Sequence, residues 1–461
     1  MPEVSPSNAA PPPPAPSHKR TTWKFNLIVV LISILAPIAI LVALILAPIW
    51  DGPPVNDADM FTERVHVPEE ENGFDLLLEA FEMLDMQSAT QFDFREWLAT
   101  PEDHQREIQE TLAAKQPFFQ ALEKALSKGR LQSPPVDFSG DSISYGVSES
   151  MTAASLLSLA VREAEDPMEA LKFVRLGLYL GNQILGDAEI LIKTLVGVAC
   201  RSNANESVLH LARNPEIPTD ALWQTLSLLK ADSPSWEPWE SAIRTEYQFL
   251  IHALTHIDQN QKYGFFEDHE SSYATFSFAF QPNNTRRIAL PIYRNAIQSL
   301  ETGDLETLIP SEHWISDRMH ETNRRAPWDP RRHHNRTGNV MVLYMLPTLD
   351  TFVHQAFRIE AENQAAILVT ALQLHLREQG ELPQTLRELV PEYLADIPED
   401  PFDGQPFRYH RSNAVVYAIG QNLVDNGGST KMRRKISSPT RNSAEDLVFG
   451  ILAPIGFTAD D

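Results

Sequence analysis

Hydrophobic residues follow three different rhythms along this chain. Across 27–50 no position is charged, and the run LIVVLISILAPIAILVALILAPIW shows no polar stripe. A helix rises about 1.5 Å per residue, so some twenty residues cross a hydrocarbon core about 30 Å thick. The run therefore predicts a transmembrane helix over 25–50, kinked where Pro37 removes a backbone donor.

Over 69–254 the rhythm becomes helical. Phe74, Leu77, Leu78, Phe81 and Leu84 recur at three- and four-residue steps and share one helix face. Thr100-Pro101-Glu102-Asp103 supplies a cap, a proline at the first helical position and acids in the first turn, so a helix should follow, to about Leu126. Apolar segments at 156–161, 171–185 and 190–211 continue the theme, punctuated by Asp166-Pro167 and Gly186-Asp187. The expectation over 69–360 is an array of antiparallel helices, with no fixed-period self-similarity to mark a repeat solenoid. Residues 265–285 turn aromatic and polar and read as a long irregular insert. Helix resumes over 287–299, and a long apolar segment covers 340–379 across Pro347. The third rhythm is near the end, where 407–409 and 415–419, parted by the polar 410–413, signal a β-hairpin. The expected class is mainly α: an N-terminal transmembrane helix, an extracytoplasmic antiparallel helical array, and a small α+β module over 361–461.

The flanks of the apolar run orient it. Lys19, Arg20 and Lys24 precede it, Trp23 and Trp50 stand near its ends, and Asp51, Asp57 and Asp59 follow. By the positive-inside rule the amino terminus is cytoplasmic and the chain beyond about residue 51 is extracytoplasmic. A cleaved secretory signal is the competing reading, but its apolar region usually has about 7 to 15 residues and ends in small side chains. This run is longer and ends in Pro48-Ile49-Trp50, so an uncleaved single-pass anchor in the plasma (inner) membrane is expected. Residues 1–24, with PSNAAPPPPAPS, offer little to bury and read as a disordered or polyproline tail. Residues 51–68, with Pro53, Pro54 and Pro68, read as a linker lifting the folded part off the bilayer.

Composition narrows the partners. With 461 residues, 43% hydrophobic, the chain can bury a sizeable core in two or three folded units. Sixty-two acids against thirty-eight bases give a formal charge of −24, which argues against nucleic acid or an anionic membrane surface as the main partner of the folded part. The single cysteine, Cys200, excludes an intrachain disulfide framework, and its setting TLVGVACRS reads as a small buried residue. There is no G-x-S-x-G, no G-x-x-x-x-G-K-[ST] and no G-x-G-x-x-G.

One family resemblance appears, at the C-terminal end. An apolar helix over 365–376 is followed by Gly380-Glu381-Leu382-Pro383 and then by Leu386, Leu389 and Val390. Next come Asp400-Pro401-Phe402-Asp403-Gly404-Gln405-Pro406-Phe407-Arg408-Tyr409, the segment Tyr417-Ala418-Ile419-Gly420, and Asp446-Leu447. This order resembles the globular end of the major pseudopilins of type II secretion. The resemblance implies a small sheet packed on a helix, and a loop holding a calcium ion with carboxylate and backbone oxygens, chemistry that suits a hard cation. Its residue-by-residue candidates here are Asn422, Asp425 and Asp446. Asn422 stands where the family usually has an aspartate, and Lys431, Arg433, Arg434 and Lys435 lie in an insert nearby. A pseudopilin also keeps a glutamate at the start of its apolar helix and passes directly into its globular part, whereas 27–50 holds no acid and some 300 residues intervene. Pilus assembly is therefore not expected, and the whole arrangement resembles uncharacterised membrane-anchored bacterial proteins.

Other constellations have plain alternatives. His252 and His256 lie four apart on a helix, the spacing of two zinc ligands, with Asp258 or a distant carboxylate needed to complete a site. Packed or surface histidines are the simpler reading. Arg324, Arg325, Arg331, Arg332 and Arg336 form a basic concentration suited to a phosphate, a carboxylated glycan or an acidic partner, or to an internal ion-pair belt. Trp236, Trp239 and Tyr247 offer an aromatic shelf, although Trp239, Ile243 and Tyr247 on one buried face explain them as well. Asn205, Asn283 and Asn335 match N-x-[ST]. The expected function is a membrane-anchored scaffold or binding protein of the cell envelope, without a predicted cofactor beyond the candidate calcium and with an envelope protein as partner. The alternatives are a divergent secretion-system or pilus-like component, and an envelope hydrolase whose acids and histidines, such as Glu246, His252 and His256, converge only in the fold.

Overall fold

The computed structural model describes most of residues 51–86, 94–138, 146–258, 280–308 and 347–428, together with 446–452 and short pieces within 32–38 and 324–342. The tail 1–24 lies outside these residues, as does the apolar run apart from Ile32 and 35–38, which are helical and exposed. Among the described residues no helix is long and apolar enough to cross a membrane.

The protein is mainly helical, with one small antiparallel sheet among the described residues. Helices α1 (Phe74–Glu82), α2 (Phe94–Ala99), α3 (Pro101–Ala114), α4 (Gln116–Leu126), α5 (Val147–Glu163) and α6 (Pro167–Gly186) form the first half of the array. They are followed by α7 (Leu191–Arg213), α8 (Thr219–Ala231), α9 (Glu237–Asp258), α10 (Pro282–Thr302) and α11 (Pro347–Gln379). Pro167 starts α6 where the sequence places it, and the Asp166 carboxylate accepts from the Met168 amide at 3.0 Å. Thr100 does not cap α3 as expected: its hydroxyl turns back to the Glu96 carbonyl at the end of α2, at 3.3 Å. The insert read over 265–285 is shorter at its far end, because Pro282 opens α10, and residues 259–279 lie outside the described ones.

Helix α7 is the centre of the body, packed on α5, α6, α9 and α11. Its buried side mixes Val196, Val198, Cys200, Ala204, Val208 and Leu211 with the polar Thr194, Arg201, Asn205 and Ser207, while Ile192 is exposed, which is why it lacks an amphipathic stripe. Glycines let α6 lie unusually close to it. A Cβ at Gly181 would stand 2.9 Å from the Arg201 amide nitrogen, and one at Gly197 would stand 2.8 Å from Leu185. Each aliphatic side chain buried in this interface contributes about 1.5–3 kcal/mol relative to exposure.

Residues 51–64, read as a linker, are instead a strap bonded along α9 and α10. Asp51 accepts from the Asn283 and Asn284 amides at 3.0 and 2.9 Å, so it caps the N-terminus of α10, where a negative charge is favoured. Arg287 donates to the Pro53 carbonyl, Tyr247 donates to Asp57 at 2.7 Å, and Arg294 pairs with Asp59. Met60 is fully buried, with its carbonyl held by Gln248 at 2.9 Å. Arg64 ends the strap at the α6–α7 turn, where it meets Asp187 at 2.8 Å and Glu189 at 2.6 Å.

The sheet consists of β1 (Arg408–His410), β2 (Val415–Ala418) and β3 (Leu447–Gly450) in the order β1-β2-β3, all antiparallel. Arg408 pairs with Tyr417, and Val416 with Phe449. Ala414 turns the hairpin in the left-handed region at φ 49°. Strand β2 is buried at all four positions, because β2 and β3 lie against α11. Gln373 of α11 donates to the Ile451 carbonyl at 2.6 Å, and Arg213 of α7 donates to the Gly450 carbonyl at 2.9 Å. The boundary expected at 360/361 falls inside α11, which runs unbroken from the array into the sheet's platform.

Candidate functional site

A groove of about 750 Å³ opens between α4, α6 and α8. Its floor is a stripe on α6: Met168, Leu171, Lys172, Arg175, Leu176 and Tyr179. Those positions recur at three- and four-residue steps and span three helical turns, about 16 Å. Glu123, Leu126 and Ser127 of the α4 end form one wall, and Trp223, Gln224, Ser227 and Leu228 of α8 form the other.

The chemistry of this groove is aromatic, aliphatic and mildly cationic. Lys172 is neutralised by Glu123 across the gap at 2.7 Å. Arg175 lies over the Tyr179 ring, 5.1 Å from its centroid, and among the described residues it has no carboxylate partner. Trp223 is held rigidly, stacked on Tyr393 at 5.5 Å and 11°, with its indole N–H donated to Glu378 at 3.2 Å. The other Glu378 oxygen accepts from the Tyr393 hydroxyl at 2.7 Å. The groove wall is thus braced from behind by α11 and by the segment that follows it. Sequence reasoning did not single out these residues. The available signal was the 4-3-4 spacing of Met168, Lys172, Arg175 and Tyr179 on a helix whose other faces are buried.

A second concavity, of about 460 Å³, opens where the loop after α10 meets the C-terminal module, lined by Asp304, Glu306, Asp403, Arg408 and Asp425 among others. Beneath it Asp400 is fully buried. Its carboxylate accepts from the Phe402 and Ile419 amides at 2.9 and 2.7 Å and from Arg408 at 2.5 Å. Burial pushes its pKa up to about 6, against the lowering effect of those amides and of Arg408. The Asp-Pro turn read from sequence is therefore the hub that joins the turn, β1 and the end of β2.

The structure brings the calcium candidates Asn422, Asp425 and Asp446 to one loop, with their oxygens engaged by donors. Asp446 accepts from the Asn426 amide at 3.0 Å and the Gly428 amide at 2.8 Å. Asp425 accepts from the Gly427 amide at 2.8 Å and lies 3.4 Å from the Arg408 guanidinium. Asn422 caps the Val424 amide at 3.1 Å. Among the described residues no group of three or more His, Cys, Asp or Glu is arranged to hold a metal ion.

Of the basic concentration only Arg324 is described, helical and exposed, and Arg325, Arg331, Arg332 and Arg336 lie outside the described residues. Asn335 within it is buried, with its side-chain oxygen accepting from the Gln281 amide at 3.0 Å. Asn205 is buried as well, so neither amide is open to a glycan. His252 and His256 face each other, Nε2 to Nε2 at 3.0 Å, and the Phe138 ring lies 5.5 Å from His252. Glu246 stands within electrostatic reach of the fully buried Tyr293, and burial pushes its carboxyl up to about 7. Neither concavity described above is lined by Glu246, His252 or His256. Trp239, Ile243 and Tyr247 form a buried face, as the simpler reading had it, with Trp239 against Phe352 at 5.0 Å. Cys200 is buried, and its thiol is pushed up to about 12.

Comparison of the chain with protein families, with characterised proteins and with solved structures finds no match.

Proposed function

We propose that this chain is a single-pass, membrane-anchored scaffold or binding protein whose extracytoplasmic helical body holds an envelope partner in the α4–α6–α8 groove. The groove carries this reading: a preformed concavity with a braced tryptophan, a Tyr179–Arg175 pair and an aliphatic floor has the composition of a recognition surface. The anchor rests on the uncharged run 27–50 and its basic flank. In this reading the strap leaves no free tether between span and body, because Asp51, one residue past that run, caps α10.

Two experiments test the reading. Crosslinked affinity capture from native membranes should recover a reproducible partner with the wild-type chain and lose it with Trp223→Ala or Tyr179→Ala; equal recovery would remove the groove from the function. For topology, Arg106→Cys puts a thiol on the exposed face of α3 while the native Cys200 stays buried and silent. A membrane-impermeant maleimide should label that variant on intact cells stripped of any outer layer, and labelling only after lysis would reverse the orientation.

A second reading, a divergent secretion-system or pilus-like component, is supported by the order of the C-terminal module. A long helix, an Asp-Pro turn, a hairpin, a loop and a closing strand follow one another as in the resemblance. Crosslinks from β1 to secretion-channel or pilus-like proteins would favour it.

A further inference from the structure

We infer that the groove accepts an amphipathic helix of a partner protein that brings a carboxylate to Arg175. This rests on the reading of the groove as a partner site and names the partner's chemistry. The floor and the α8 wall come from helices whose backbone donors and acceptors are consumed internally, so beyond the last turn of α4 the groove offers side chains alone. An extended peptide would leave its own N–H and C=O groups unpaired against such a surface, whereas a helix arrives with them already satisfied. The dimensions agree: the α6 stripe is three turns long, and the pairs Trp223/Ser227 and Gln224/Leu228 on α8 stand four residues apart, the spacing that receives helical side chains between them. Met168, half exposed at one end, supplies an adaptable apolar contact.

Charge selects the partner face. The chain as a whole carries −24, yet Lys172 is already paired with Glu123 and Arg175 is left over Tyr179 without a carboxylate among the described residues. One uncompensated guanidinium on a strongly acidic protein attracts a glutamate or aspartate at the border of an incoming apolar face, and it disfavours a basic helix.

The test uses the full-length protein in its native membranes with a photo-crosslinking residue at Ser227, and the same residue at the distant Arg106 as control. The Ser227 adduct, mapped by peptide sequencing, is expected to fall on a segment of another protein with apolar residues at three- and four-residue steps and an acid within one turn. Arg175→Glu should cut its yield about tenfold, and reversing the partner's acid to arginine should restore the yield. Adducts on a second copy of this chain, on lipid or on an extended segment would overturn the proposal, as would a yield indifferent to Arg175→Glu or no Ser227-specific adduct. An adduct that meets every criterion but lies on a cytoplasmic protein would keep the groove's specificity and refute the orientation instead.

Discussion

Replacing Glu246 with glutamine should make the helical body more stable at pH 8 and remove part of its pH dependence. Glu246 lies on α9 beside Tyr293, whose buried hydroxyl has no hydrogen-bond partner among the described residues. Burial alone pushes the Glu246 carboxyl from 4.5 up to about 7. A raised carboxyl pKa means the folded body binds the proton more tightly than the unfolded chain does. The associated stability is therefore fully present below about pH 4.5 and is lost as pH rises through about 7. At about 1.4 kcal/mol per pH unit the full effect is about 3 kcal/mol, and solvent that still reaches the side chain reduces it to about 1–3 kcal/mol. Asp400 and Glu189, raised to about 6 and about 7, add slopes of the same sign to both proteins, so the difference between wild type and variant isolates Glu246. Thermal unfolding of the full chain in detergent, followed by near-ultraviolet circular dichroism at pH 6, 7 and 8, gives that difference. The variant should gain on wild type as pH rises. A variant less stable than wild type at pH 8, or parallel pH profiles, would refute the reasoning and show that the ionised carboxylate makes a bond worth more than its desolvation.

Other substitutions probe the remaining contacts. Gly181→Val should destabilise the body by about 2–3 kcal/mol, because its side chain would enter the space held by the Arg201 backbone; a midpoint in urea within error of wild type would contradict that close approach. Asp400→Ala leaves the buried Phe402 and Ile419 amides without their acceptor, while Arg408 keeps Asp403, and should cost about 2–4 kcal/mol, seen as faster hydrogen exchange over 400–419 while α7 keeps its protection. Arg294→Ala cuts an exposed ion pair of the strap and should cost under about 1 kcal/mol globally, yet limited proteolysis within 51–64 should quicken markedly. Millimolar calcium should leave the melting temperature of the C-terminal module unchanged, since the Asp446 oxygens already accept amide N–H groups. A rise that Asp425→Ala abolishes would show that the loop rearranges around the ion.

Much of the architecture was legible in order of residues because it rests on local rules. Three- and four-residue spacing marked α1, apolar segments parted by Gly186-Asp187 marked the α6–α7 pair, Asp166-Pro167 marked a helix start, and two short segments about a polar turn marked the β1–β2 hairpin. The buried face of Trp239, Ile243 and Tyr247 and the burial of Cys200 were readable for the same reason: periodicity tells which side of an element faces the core. Expectations failed where a residue had two local options. Thr100 suits an N-cap and equally a bond back to Glu96, and packing of α2 against α3 chose the second.

The tertiary structure alone decided what the acids and the helix faces do. Asp51, Asp57 and Asp59 read only as negative charge beyond an apolar run, and only the fold sets them against Asn283, Tyr247 and Arg294, more than 180 positions away, turning a linker into a strap. Asp400 looks like any Asp-Pro turn until its carboxylate is enclosed by β2 and Arg408. The groove was invisible for a related reason: Glu123, Arg175 and Trp223 belong to three helices, and each alone reads as an ordinary solvated position. Periodicity in a sequence reports whether a side chain points inward or outward. It carries no information on which outward faces are brought together, because that depends on helix crossings set by core packing and by close approaches such as those at Gly181 and Gly197.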